Sequence, residues 1–134
     1  MRVMLDTNVL LSALLFPNNR MNGMMRCIFE EHRLVLSSLS VDELILVVKK
    51  NFPAKAAIVD HMLSAMSYEF IYTSRAMEQD CSGIANPRNY PLLPVALQEN
   101  VDLLITNDKE FAEIAIDRPE ILTPAEFIRQ YLIR

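Results

Sequence analysis

Glycine is scarce in this 134-residue chain, with two copies, tryptophan is absent, and there are only two cysteines. With charges of both signs and half its residues hydrophobic, the composition excludes a disordered or low-complexity chain. Cys27 and Cys81 form neither a disulfide framework nor a metal-ligand spacing, and each reads as a reduced thiol in or near a core, as expected in the cytoplasm. No apolar run approaches the ~20 residues that cross a bilayer, and no basic segment followed by an apolar stretch marks a signal peptide. A membrane protein is therefore not expected. Excess positive charge is missing too. The net charge of -4 does not advertise nucleic-acid binding, although an acidic site can lower the sum while a local basic patch binds. Arg20, Arg26, Lys49, Lys50, Lys55, Arg75 and Arg88 read as solvated helix faces.

What is present is alternation. One domain over residues 1–134 is expected, large enough to bury roughly two-thirds of its unfolded surface. Val3-Met4-Leu5 is an apolar run too short for a helix and suited to a strand buried on both faces. Asp6 ends it, and Val9 to Leu15 returns to a helical, nearly all-apolar pattern. Phe16 to Arg20 reads as a loop, and Met21 to His32 as a helix whose apolar face is Met24, Met25, Ile28 and Phe29. His32 falls at its end, where a cation suits the dipole and a structural use is expected.

Leu34 to Ser37 is a second strand. Ser40 to Glu43 opens a helix that runs to Lys49-Lys50, and Phe52-Pro53 breaks the chain. Ile58, Val59, Met62, Leu63 and Met66 mark the next helix, with His61 off the stripe. Phe70 to Thr73 is a third strand, Arg75 to Ile84 a short helix, and Asn86 to Pro91 a rigid turn. A helix follows over about Leu92 to Glu99; its start is open, because Pro94 is costly beyond a first turn. Val101 to Thr106 is a fourth strand, Asn107-Asp108 opens another helix, and Glu120 to Leu122 is a fifth strand. Thr123-Pro124-Ala125-Glu126 is a helix cap with proline at the first helical position and an acid three residues after the cap. Short buried strands alternating with helices predict an α/β fold, a parallel sheet covered on both faces. Right-handed crossovers bring the strands' carboxyl ends to one edge.

Three acids follow strands: Asp6 after the first, Glu43 in the helix after the second, and Asp108 after the fourth. Each has an ordinary explanation. Asp6 and Asp108 would serve as N-caps, and Glu43 would complete a capping box with Ser40. Gathered at one edge, however, like charges would repel one another. A divalent cation with a preference for oxygen resolves that repulsion.

In Leu5-Asp6-Thr7-Asn8-Val9-Leu10-Leu11, Ser40-Val41-Asp42-Glu43-Leu44 and Asp102 to Phe111, the chain resembles the PIN-domain ribonucleases, including the VapC-like toxins of toxin–antitoxin pairs. The resemblance covers essentially the full length; its first and last segments are fairly specific, and the middle one is weak alone. It implies a central parallel sheet of about five strands, an acidic pocket for Mg2+ or Mn2+, and hydrolysis of single-stranded RNA by metal-activated water. Carried over by position, Asp6, Glu43 and Asp108 would be catalytic acids and metal ligands, with Asn8 and Thr106 as supporting polar residues. A cognate antitoxin and a homodimer are the implied protein partners.

One segment departs from the pattern. Where the family carries acids before the fourth helix, this chain reads Asn86-Pro87-Arg88-Asn89-Tyr90-Pro91, and Asn89 stands at the place of the third acid. Asparagine keeps a carbonyl oxygen that ligates hard cations, but it removes charge and cannot act as a base. Two further readings follow. A degenerate PIN domain would bind RNA or an antitoxin with weak or no catalysis. A phosphatase of the haloacid dehalogenase type also starts from an Asp after its first strand, but it wants a second Asp where Asn8 stands.

Overall fold

Short parallel strands whose inner positions are apolar are stable when both faces of their sheet are covered, and that is the arrangement found. The computed structural model describes residues 1–72, 92–107 and 119–132. The five strands are β1 (Arg2–Leu5), β2 (Arg33–Ser37), β3 (Glu69–Ile71), β4 (Leu103–Ile105) and β5 (Glu120–Leu122). They form one sheet in the order β3-β2-β1-β4-β5, parallel at every pairing. The α/β class and five-stranded parallel sheet expected from the sequence are both present.

The period-two alternation of strands divides the core. Val3 and Leu5, Leu34 and Leu36, and Leu103 and Ile105 face one way. They meet α1 (Thr7–Leu15), α2 (Asn19–Glu31), α3 (Ser38–Asn51), α4 (Ala56–Ala65) and α6 (Pro124–Tyr131). Met4, Val35, Ile71 and Leu104 face the other way, against Val95 and Ala96 of α5 (Leu92–Gln98). A right-handed crossover explains the split. The chain moves outward from β1 through β2 to β3 with its connecting helices on one face. It then returns to the far side of β1, with α5 on the opposite face. The direction of strand addition reverses between β1 and β4.

Local chemistry sets the boundaries. Asn18 caps α2, accepting a 2.8 Å hydrogen bond from the Met21 N–H, so this helix begins two residues earlier than its apolar face suggests. Met24, Met25 and Ile28 are buried as expected, whereas Phe29 and, on α4, Ile58 are exposed. Pro94 is the third residue of α5, in a first turn whose N–H groups have no intrahelical partner. Thr123 caps α6 with the reciprocal capping box: the Glu126 N–H donates to Thr123 Oγ1 at 3.1 Å, and the Thr123 N–H donates to Glu126 Oε1 at 3.0 Å.

The expected capping box of Ser40 with Glu43 does not form. The cap is Ser37, whose Oγ accepts from the Ser40 N–H at 3.2 Å, and α3 starts at Ser38. Strand β2 runs into the helix with no loop between them, so its last residue also serves as the cap. Glu43 thereby lies in the second turn, out of reach of the helix's N-terminal amides. The expected helix at 75–84, the turn at 86–91 and the helix opening at 107–108 fall wholly or largely outside the described residues.

Candidate active site

In an open parallel sheet, ligands bind beyond the carboxyl ends of the strands, at the point where the order of strand addition reverses. Here that point is the gap between β1 and β4, and Asp6 and Thr106 are the residues that follow those strands. The ladders continue past the strand ends: the Asp6 N–H donates to the Ile105 carbonyl between β1 and β4 at 3.0 Å, and the Thr106 N–H to the Leu122 carbonyl between β4 and β5 at 2.9 Å. Both backbones are therefore fixed to the sheet up to the residues that carry the polar side chains.

Asp6 occupies the N-cap position of α1, with extended dihedrals, and its carbonyl accepts the helix's first hydrogen bond from the Leu10 N–H at 3.0 Å. Its side chain makes no capping hydrogen bond. Instead Oδ2 accepts a 2.7 Å hydrogen bond from Thr106 Oγ1. The ordinary explanation of this residue, a carboxylate used to cap its own helix, thus accounts for its backbone but not its side chain. Asp6 is half-buried and Thr106 fully buried, so the hydroxyl is a fixed donor aimed out of the core.

Glu43 reaches the same neighbourhood from α3, which packs against α1. Thr7 Oγ1 donates to Glu43 Oε2 at 3.2 Å, so consecutive residues tie both acids to the start of α1. Thr7 is buried and Glu43 exposed: the threonine is the anchor and the glutamate the side chain presented to solvent. Asn8 is exposed in the first turn of α1. Asp108 and Asn89 lie outside the described residues. Thr7 is the polar residue that sequence reasoning passed over, because its partner lies 36 positions away along the chain.

The described donors here are carboxylate and hydroxyl oxygens, with no sulfur or imidazole among them. That set suits a hard divalent cation such as Mg2+ or Mn2+. Beside it a cavity of about 370 Å³ is lined by Ser12, Phe16, Arg20, Asn107 and Ile128 among others. Asn107 directly follows Thr106, so this cavity begins at the sheet edge that carries Asp6. The Phe16 ring at its rim is half-exposed, with the Lys55 ammonium 5.5 Å from its centroid.

A model of the PIN domain family matches residues 2–110. The chain belongs to the PIN domain family. Among solved structures, this PIN domain is similar to VapBC2 from Rickettsia felis, bound to a DNA fragment from their promoter. The TM-score is 0.67 at 25% identity, covering 91% of this chain and 97% of that one. FitAcB from Neisseria gonorrhoeae matches with a TM-score of 0.64 at 19% identity, covering 92% and 98%. Mycobacterium tuberculosis VapC20, a Sarcin-Ricin loop cleaving toxin, matches with a TM-score of 0.58 at 10% identity, covering 84% and 96%. The last two likenesses are of fold alone. No curated protein matches the chain significantly.

Proposed function

We propose that this PIN domain is a metal-dependent endoribonuclease acting on single-stranded RNA, and that it is the toxin of a toxin–antitoxin pair. The observation that carries the reading is the Asp6 carboxylate at the switch point, withheld from its own helix and oriented by Thr106. Asp6, Glu43, Asn89 and Asp108 are the residues that would hold Mg2+ or Mn2+, which when bound would activate water and offset charge on the phosphodiester. Thr106 and Thr7 orient two of those carboxylates, and Asn8 supports the pocket from the first turn of α1. Arg20 and Phe16, at the cavity beside Asn107, offer a cation for phosphate and a ring face for a base.

The toxin role draws on the likeness to VapBC2, the nearest in identity of the three structures described, and the antitoxin would be a separate chain. A homodimer fits the exposed apolar side chains of Leu46 on α3 and Ile58 on α4. No helix among the described residues is long and apolar enough to cross a membrane; the site of action in this reading is the cytoplasm. The test is cleavage of generic single-stranded RNA with Mn2+ and with Mg2+, by the parent chain beside Asp6→Asn. Cleavage by the parent alone is expected. Equal cleavage by both, or by neither, sinks the proposal.

Asn86 and Asn89 favour a second reading, a PIN domain that binds RNA or an antitoxin with little catalysis. It requires weak Mn2+ binding by the parent chain and stronger binding after Asn89→Asp.

A further inference from the structure

At the other end of the sheet, before β2 begins, Cys27, Glu31 and His32 bring one sulfur, one carboxylate oxygen and one imidazole nitrogen within 4.8 Å of one another. We propose that these three residues form a binding site for a divalent cation of the zinc class. Strands of four to five residues separate this end from Asp6 by roughly 15 Å, so the two sets of ligands cannot share an ion.

The convergence follows from the helix. Cys27 and Glu31 are four residues apart, one above the other on the same face of α2, and the Cys27 thiol donates to Glu31 Oε2 at 3.1 Å. His32 is the C-cap, with φ -135° and ψ -170°. Its backbone has left the helix, so the imidazole meets the preceding turn instead of continuing around the axis. The ring is held edge-on by Phe127 and Tyr131 of α6, with centroids 6.2 and 5.8 Å away.

The donor chemistry selects the ion. A thiolate and an imidazole favour zinc-class cations over Mg2+, and thiolate plus carboxylate supply two negative charges to balance a dication. Binding would release the thiol proton to solvent. Around tetrahedral zinc, ligand atoms sit about 3.3–3.7 Å apart, so the largest separation must close by roughly an ångström. Cys27 is buried, while Glu31 is exposed and His32 half-buried; rotation of the Glu31 side chain and a small shift of the His32 ring between its aromatic neighbours would supply the closure. His32 also lines a cavity of about 350 Å³ shared with Phe29, Arg33, Tyr68 and Glu69. Glu69 is engaged by Arg2 Nε at 3.0 Å, and water would complete the coordination of an ion held by the three ligands. Counting cysteines could not reveal this site, because among the described residues its sulfur is grouped with one carboxylate and one imidazole.

The experiment titrates the full-length, tag-free chain with Co2+ alone, followed by Zn2+ competition. An Asp6→Asn background weakens ion binding at the acidic edge. The expected result is a near-ultraviolet thiolate-to-cobalt band saturating at one ion per chain and displaced by Zn2+. Affinity should fall at least tenfold in Glu31→Gln and in His32→Gln; the band should vanish in Cys27→Ser and persist in Cys81→Ser. Circular dichroism verifies that each variant is folded, and the exposed Glu31 keeps the test decisive if Cys27→Ser does not fold. The proposal is overturned by a folded parent chain with no thiolate band at millimolar Co2+. A band that survives Cys27→Ser, or affinity unchanged in Glu31→Gln and His32→Gln, overturns it equally.

Discussion

Thr106 Oγ1 lies 2.7 Å from Asp6 Oδ2, a hydrogen bond between the residues that end two neighbouring parallel strands 100 positions apart. Its geometry is that of a donor fixed by burial and an acid fixed by the sheet, and its consequence is orientation. Thr106→Val keeps the shape of the side chain and deletes the donor. Single-turnover RNA cleavage is expected to slow by about 10- to 100-fold, the usual cost of losing a group that positions a metal ligand. Thr106→Ser, which restores the hydroxyl, should recover most of the rate. Equal rates in Thr106→Val and the parent would leave the hydrogen bond without a role in catalysis.

Asn89 stands where the resemblance calls for an acid. Asn89→Asp adds a carboxylate, and with it charge attraction for the cation that asparagine lacks. Calorimetric titration with Mn2+ is expected to show at least a tenfold gain in affinity over the parent, about 1.4 kcal/mol. No change would place residue 89 outside the cation's reach.

The capping box of α6 makes stability depend on pH. The Thr123 backbone N–H, then the Thr123 hydroxyl, hold the Glu126 carboxyl below its ordinary value of 4.5, with burial opposing them and Arg129 adding a small attraction. A carboxylate depressed in the folded state stabilises the protein above its unfolded pKa, and loses that contribution as pH falls through the folded value. Glu126→Gln should therefore melt below the parent at about pH 7, and the gap should narrow as the solution is acidified below the ordinary carboxylate range. Thr123→Ala removes the cap itself and should cost ~1 kcal/mol, a few degrees in Tm. A pH-independent gap for Glu126→Gln would assign its effect to packing.

Two stability variants separate burial from surface charge. Phe127 is fully buried and stacks on Tyr131 with ring centroids 4.9 Å apart; Phe127→Ala should cost about 3–5 kcal/mol. The Arg2–Glu69 ion pair is 3.0 Å long but has side chains 29% and 36% exposed. Glu69→Gln should cost less than about 1 kcal/mol, because solvent screens the pair. Urea denaturation of the three proteins measures both, and a larger loss for Glu69→Gln would reverse this ranking.

Periodicity made the α/β class and all five strands legible, because short apolar runs alternating with helical patterns suit a covered parallel sheet. Cap chemistry at Thr123-Pro124-Ala125-Glu126 was equally legible, since every interaction in it spans three residues. The same logic failed at Ser40 and Glu43. A capping box was the local expectation there, but β2 runs straight into α3, and Ser37 took the cap. Glu43 was thereby freed to meet Thr7, a partner 36 positions away.

Asp6 shows the division most plainly. By itself the sequence determined that a carboxylate ends the first buried strand and precedes a helix, which suits a cap and a ligand equally well. Only the tertiary structure decided what the side chain does. The order of strand addition reverses between β1 and β4, which sets Thr106 beside Asp6 and draws the carboxylate away from the amides of its own helix. A hydrogen bond across 100 residues of chain leaves no local pattern, because it depends on strand order, and strand order is set by which helices cover which face.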